Sequence, residues 1–286
     1  MRKTTPLVLA VLLAGRLIPA LAQNTPEENS ETTDAPWVRP IRPDRPGLSI
    51  TPGVLRPGEF QLETGWQRLA PGGGVGLPSQ ATTLRIGFFS SLELRLTQNY
   101  AFGPAGAAAR GRGEGPTPTL RPDSTGWAPL TVGIKLLLTP DRASRFQASL
   151  LFEAAVPGTG QRGLRRGTWG PGGRLLLSQQ LGRRAALVGN FGFSQPGLTA
   201  HDALAGQYLG TLALTAPFTD RVGYFVEGYG QGHQQLTTGA TAGLYYRPWT
   251  GLRFDATLGR VLGGPQAGAT TVGLGLGLRL GGNGEH

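Results

Sequence analysis

Polar and apolar residues alternate with a period of two along segment after segment of this chain, and that rhythm leaves few folds open. In Glu59-Phe60-Gln61-Leu62-Glu63-Thr64-Gly65-Trp66-Gln67, one face carries Phe60, Leu62 and Trp66, and the other Glu59, Gln61, Glu63 and Gln67. Strand side chains point alternately to opposite faces, so the segment predicts a strand with one apolar and one wet side. Leu84, Ile86 and Phe88 oppose Thr83, Arg85 and Gly87; Leu92, Leu94 and Leu96 oppose Glu93, Arg95 and Thr97. Leu130, Val132, Ile134, Leu136 and Leu138 oppose Thr131, Gly133, Lys135 and Thr139, and Phe146, Ala148, Leu150 and Phe152 oppose Gln147, Ser149 and Glu153. Weaker versions cover 174–181, 185–194, 208–216, 224–231, 237–247 and 252–258. In the last, Val272, Leu274, Leu276, Leu278 and Leu280 oppose Gly273, Gly275, Gly277 and Arg279. These segments predict twelve strands, several of about ten residues, the length a tilted strand needs to cross a bilayer.

The connections sort by length. Short links lie at 90–91, 140–143, 182–183, 217–222 and 248–251; longer ones at 70–79, 103–128, 157–172, 195–206 and 262–268, with only the link near His233 breaking the long set. Short turns at one end and long loops at the other describe an all-β, transmembrane up-and-down antiparallel β-barrel with its turns periplasmic and its loops outside. A soluble β-sandwich would alternate too, but would rarely sort its connections in this way. Aromatics fall near strand ends: Trp66, Tyr100, Phe102, Phe152, Phe193 and Tyr208 on the loop side, and Phe88, Phe218, Tyr224, Tyr246, Trp249 and Phe254 on the turn side. That distribution fits two interfacial girdles.

Residues 1–22 read as a signal peptide: Met1-Arg2-Lys3 is basic, Pro6 to Gly15 apolar, and Ala20-Leu21-Ala22 a small-x-small cleavage site. Residues 23–57 form a Pro-rich N-terminal arm, with Pro36, Pro40, Pro43, Pro46, Pro52 and Pro57 recurring too often for a helix or a central strand. The arm is expected to be extended, irregular and periplasmic. The barrel should occupy 58–281 and a tail 282–286.

Several function classes fall away. Gly at 47 and Pro at 23 of 286 residues disfavour a helical bundle, and the absence of Cys excludes a disulfide framework, a thiolate metal site and a Cys nucleophile. The formal net charge is +10, but Lys occurs only at 3 and 135 and the Arg residues are scattered, so no basic run marks a nucleic-acid partner. His201, His233 and His286 have no metal-ligand spacing, no G-x-S-x-G elbow is present, and Gly72-Gly73-Gly74 precedes no helix, so no cofactor or metal is expected and no enzyme. The enzymatic alternative is an outer-membrane lipid hydrolase, which needs a Ser/His pair on the outer wall; Ser178 and Ser194 fall on the lumen side.

Twelve charges lie on the polar phase of their strands: Glu63, Arg85, Glu93, Arg95, Lys135, Glu153, Arg174, Glu227, Arg247, Arg253, Asp255 and Arg279. A lipid-facing charge at mid-bilayer would cost about 2–4 kcal/mol, so these side chains are expected to face the lumen. They either line a charged pore or form a salt-bridged network that fills a narrow barrel. Inward glycines at 87, 133, 243, 273, 275 and 277 would leave space for a lumen. Membrane lipid is the implied surroundings. The loop arginines Arg110, Arg112, Arg121, Arg162, Arg165 and Arg166 are either solvated or set to bind lipopolysaccharide phosphates.

Asp44-Arg45-Pro46-Gly47, Thr51-Pro52-Gly53-Val54 and Gly58-Glu59-Phe60-Gln61-Leu62-Glu63-Thr64-Gly65 together resemble the opening of an outer-membrane transporter family named after the meta-pathway of phenol degradation. Its members pair D-R-P-G with a first strand G-x-F-Q-x-E-x-G. Pro129-Leu130-Thr131-Val132-Gly133-Ile134-Lys135 is similar to that family's P-L-x-x-G-x-K strand. The resemblance implies a Gram-negative outer-membrane β-barrel with a transport role. The expected activity is passive conduction or import of small solutes; the alternative is a structural or adhesive barrel with a closed lumen.

Overall fold

The structure, a computed structural model, describes residues 41, 43–44, 47–70, 77–102, 125–139, 145–162, 164–165, 167–182, 185–194, 207–232 and 235–281. The expected signal peptide, most of the expected arm, the tail, the three histidines and Arg110, Arg112, Arg121 and Arg166 lie outside these residues.

Thirteen strands follow in order: β1 (Glu59–Ala70), β2 (Leu77–Phe89), β3 (Leu92–Ala101), β4 (Gly126–Trp127), β5 (Thr131–Leu137), β6 (Phe146–Ala155), β7 (Gly170–Leu181), β8 (Ala185–Ser194), β9 (Gln207–Pro217), β10 (Val222–Gly232), β11 (Leu236–Trp249), β12 (Leu252–Gly263) and β13 (Thr270–Gly281). Each long strand pairs antiparallel with its sequence neighbours; β1 pairs with β13, and β2 with both β1 and β3, so twelve strands close into a barrel. Closure leaves no long sheet edge unpaired, the condition for a strand structure to cross hydrocarbon.

β4 is an addition to the twelve expected strands. It adds two residues to the ladder of β3 through Tyr100↔Trp127 and Ala101↔Gly126. Two residues are too short to show a period, which is why the segment reads as loop in the sequence. The long strands also outrun their alternating segments. β2 starts at Leu77 and β12 reaches Gly263, because ladder pairing continues through Gln, Ser, Thr and Gly where the apolar rhythm has faded.

The outer face is apolar and exposed: Phe60, Leu62, Leu212, Leu244, Leu258 and Leu274 all point away from the interior. Aromatics meet in pairs at both ends. Tyr100 packs on Phe102 and Trp127 at 4.6 and 4.8 Å and Phe193 on Tyr208 at 5.5 Å at the loop end, while Phe218 meets Tyr224 at 4.7 Å at the turn end. The inner face is buried and mostly polar, with Gln61, Glu63, Arg85, Glu93, Lys135, Ser149, Asn190 and Glu227 at most 3% exposed. Polar side chains so thoroughly buried inside a barrel must be covered by something.

Candidate functional site

The cover is the N-terminal arm. Its described residues between Ile41 and Gly58 form neither strand nor helix and lie against the inner wall of the barrel rather than outside it. The Ile41 N–H donates to the Thr250 carbonyl in the β11–β12 turn at 2.7 Å, so the described arm begins at the turn end. Farther along, it meets the strands in descending order. Leu48 and Ser49 N–H groups donate to the two Glu227 oxygens on β10 at 2.9 and 2.6 Å, and Ser49 Oγ donates to Thr211 Oγ1 on β9 at 2.7 Å. Asn190 on β8 accepts from Ile50 N–H at 2.6 Å and donates to the Ile50 carbonyl at 2.9 Å. Ser149 on β6 donates to the Pro52 carbonyl at 2.7 Å, Lys135 on β5 to the Thr51 carbonyl at 3.1 Å, and Glu93 on β3 accepts from Leu55 N–H at 3.0 Å. Gly58 N–H reaches Gly87 of β2 at 3.1 Å just before β1 begins. The arm is a belt.

The belt has a physical reason. A proline-rich segment makes no ladder of its own, and its buried N–H and C=O groups need partners. The inward polar side chains provide them. Between these bonds Ile50 packs with Leu151 and Leu176, two leucines that stand on the otherwise wet phase of β6 and β7.

At the centre sits Asp44, 6% exposed. Its Oδ2 accepts from Arg95 Nη1, and from Lys135 Nζ at 2.9 Å, and lies 3.3 Å from Arg85 Nη1. Its Oδ1 accepts from the N–H and hydroxyl of Thr51 at 3.2 and 3.1 Å, folding the arm back on itself. The Asp44 N–H donates to Glu63 Oε2 at 2.9 Å, and Gln61 orients Glu63 by donating to Oε1 at 2.7 Å. Arg85 forks onto Glu93 with two bonds of 2.7 Å and gives a third to Glu63 at 2.8 Å. Three cations (Arg85, Arg95, Lys135) thus face three carboxylates (Asp44, Glu63, Glu93), and the buried cluster balances. Bidentate, charge-assisted bonds are the strong kind.

Burial alone would raise the Asp44 carboxyl, but Arg85, Lys135 and Arg95 outweigh it and hold the group far below the usual carboxylate range. A depressed carboxyl contributes stability above its unfolded value of about 3.9 and loses it only as pH falls toward the folded value. The arm should therefore resist added protease equally at pH 8 and pH 5, measured on the folded full chain. Faster cleavage at pH 5 would contradict a permanently ionised Asp44.

The structure places all twelve sequence-predicted charges on the inner phase but divides their work. Glu63, Arg85, Glu93, Arg95 and Lys135 meet in the Asp44 cluster, with Glu153 3.6 Å from Arg95 at its margin. Glu227 holds the arm across the barrel. Arg253 lies 4.0 Å over the Tyr245 ring and Arg247 5.4 Å from it, a cation–π arrangement at the turn end. Arg174, Asp255 and Arg279 face the same interior from β7, β12 and β13.

The inward glycines are occupied space rather than open lumen. A Cβ at Gly87 would run into the Arg56 carbonyl, and one at Gly277 would come within 3.1 Å of Pro43 and 3.4 Å of Ile41, so these two positions let the arm touch the wall. Gly243 lies under the Phe225 ring and Gly275 under the Asp255 carboxylate.

Asp44, Ile50 and Asn190 fix the arm to the wall without being singled out by the strand rhythm, and Ser149, on the wet phase of β6, is not marked by it as an anchor. One signal does point to the belt: Leu151 and Leu176 are apolar on a wet face. The family motifs acquire a common reason, since Asp44 of D-R-P-G, Gln61 and Glu63 of the first strand, and Lys135 of the P-L-x-x-G-x-K strand all meet in one cluster.

The sequence profile of the family described as "Putative MetA-pathway of phenol degradation" matches residues 43–280, a span that begins one residue before Asp44. No curated protein matches the sequence. Among solved structures, an outer-membrane channel from Pseudomonas putida F1 superposes with a TM-score of 0.54 at 15% identity, over 79% of this chain and 97% of that one. The KdgM porin, solved in complex with disordered oligogalacturonate, gives 0.52 at 10% identity, over 76% and 98%. The NanC porin gives 0.52 at 8% identity, over 77% and 100%. At these identities the likeness is one of fold: an outer-membrane porin-like barrel.

Proposed function

Since the chain belongs to this family of the MetA-pathway of phenol degradation, we propose that it is an outer-membrane channel for small solutes, exported by its signal peptide in a Gram-negative cell and narrowed by its own arm. The observation that carries the reading is a closed twelve-strand wall, apolar outside and polar inside, with a covalently attached belt lying in its turn-side interior. Toward the long loops many inward positions are small and uncharged, Thr83, Thr97, Thr237, Thr257 and Thr271 among them, with Glu153 and Arg174 the charged exceptions. Solute would enter through this vestibule and pass the charged belt last, with the long loops outside. Outer-membrane location should show as a mobility difference in SDS before and after boiling. Reconstitution in a planar bilayer tests the channel itself: discrete conductance steps are expected.

Ion preference follows from the charges. The predicted inward set holds seven basic and five acidic residues, and the structure adds two inward acids, Asp44 and Glu59 on the buried phase of β1, which makes seven acidic. The Asp44 cluster is neutral, so Arg174, Arg247, Arg253 and Arg279 stand against Glu59, Glu153, Glu227 and Asp255. Basic linings favour anions and acidic ones cations, so four against four should give only a weak ion preference, which fades further toward 1 M salt, where screening reaches only about 3 Å. The reversal potential across a salt gradient measures it; a strong preference of either sign would contradict the assignment. The belt itself favours a second reading, a scaffold sealed by its arm, and the absence of any conductance by the full chain would select it.

A further inference from the structure

The outer wall carries a charge pattern that conduction does not use. Among the described strand residues, the charged side chains on the lipid-facing phase are Arg68 and Arg260, and both are exposed. Both lie near the loop end, Arg68 on β1 and Arg260 on β12, on either side of β13. The register sets Arg68 beside Val272, and Arg260 beside Thr270 with Leu258 beside Val272. Two strand steps of about 4.8 Å put the two backbones about 10 Å apart. A charge on this phase is costly at mid-bilayer and cheap only at the interface, where anionic headgroups lie.

Below Arg260 the wall is hollow. Ala242 on β11 lies between Val226 on β10 and Leu258 on β12, and Ala240 between Gly228 and Arg260. All six positions are on the exposed, outward phase, and nothing lies within 4 Å of where a Gly228 side chain would start. The result is an open groove of about 350 Å³ with a floor of Ala240 and Ala242, walls of Val226 and Leu258, and Arg260 and Thr270 at its loop-end rim.

We propose that this groove binds lipid A, the acylated, doubly phosphorylated anchor of lipopolysaccharide. One acyl chain lies along the Ala240–Ala242 floor, and Arg68 and Arg260 take phosphates at the headgroup. Guanidinium forks match phosphate oxygens, which is why Arg rather than Lys suits both positions. The site differs from the loop arginines considered from sequence, because it couples a phosphate contact to an apolar slot in the wall itself. It rests on the proposed orientation, which puts the loop end in the outer leaflet.

The test uses the folded full chain in detergent, with native mass spectrometry of bound lipid. The probes are bisphosphorylated lipid A, its dephosphorylated form and phosphatidylglycerol. Bisphosphorylated lipid A should bind at least about tenfold more tightly than the dephosphorylated form, the scale of one charge-assisted bond. R68Q/R260Q should abolish that difference, and Ala242→Phe should weaken both lipid A forms severalfold by filling the floor. Heat-modifiable mobility in SDS confirms that each variant is folded. Equal binding of the two lipid A forms, or a phosphate preference that survives in R68Q/R260Q, overturns the proposal. Tighter binding of phosphatidylglycerol than of lipid A overturns it too, and would place this end in the inner leaflet. Bilayer conductance in lipid A-free membranes is independent of these residues, so a failure here leaves the channel reading standing.

Discussion

Asp44→Ala should free the arm and raise single-channel conductance severalfold while the barrel still closes. Asp44 is the one acidic residue of the belt, and it alone joins Arg85, Arg95 and Lys135 to the arm through a charge. Without it three buried cations face Glu63 and Glu93, with Glu153 at the margin. Removing one partner from a buried ionic cluster costs about 3–5 kcal/mol, because the remaining charge stays desolvated. The strand ladders do not depend on Asp44, so the penalty falls on docking of the arm. Relief comes by withdrawal of residues 41–58, which lets water reach the cations. Asp44→Asn keeps the hydrogen-bonding shape without the charge and should give an intermediate conductance. Limited proteolysis of the folded protein provides the second readout: the arm should become cleavable in Asp44→Ala and stay protected in the parent. Unchanged conductance together with unchanged protection would sink the idea that Asp44 holds the belt.

Arg85→Met is expected to have the largest effect on stability. Arg85 is 1% exposed and touches all three carboxylates of the cluster, with bonds to Glu93 and Glu63 and an ion pair with Asp44. Its loss leaves three acids against Arg95 and Lys135 in a water-poor interior. A loss of about 3–5 kcal/mol follows, read as a lower urea midpoint for unfolding in detergent. Arg85→Lys should recover only part of this, since an ammonium cannot fork onto Glu93. Adding Glu93→Gln to Arg85→Met should cost much less than the sum of the two single changes, because the residues are directly coupled. Strict additivity would mean that the cluster contributes nothing as a unit.

The wall was readable before the belt for a physical reason. Lipid on one side and polar groups on the other force a period of two on every crossing, so Phe60, Leu62, Ile134 and Leu274 announce their face from sequence. The same phase rule put Glu63, Arg85, Glu93, Arg95 and Lys135 inside. It could not say what they meet there. The belt's bonds run mostly from its backbone, as at Leu48, Ser49, Ile50 and Leu55, and backbone groups leave no trace in residue identity. Asp44 is the exception, visible only as a letter in a motif. The inward glycines misled in a related way: a missing side chain marks close approach, and Gly87 and Gly277 are approached by the arm rather than by solvent. Leu151 and Leu176 broke the wet phase, and that break reported a neighbour that periodicity along one strand could not identify.

Both ends of the described belt stand at one mouth. Ile41 is tied to the turn at Thr250, and Gly58 to Gly87 near the turn from β2 to β3. The described belt therefore starts and finishes on the same side, like a bight of rope pushed into a ring, and among the described residues nothing is threaded through. No knot has to form during assembly, in keeping with the general avoidance of threaded topologies. The ring can close first, with the arm waiting outside, and the bight can tuck in afterwards once β8 to β10 exist to receive it. What went in without opening the ring can come out in the same way, so release of the arm is a reversible act that leaves every rung of the ladder in place.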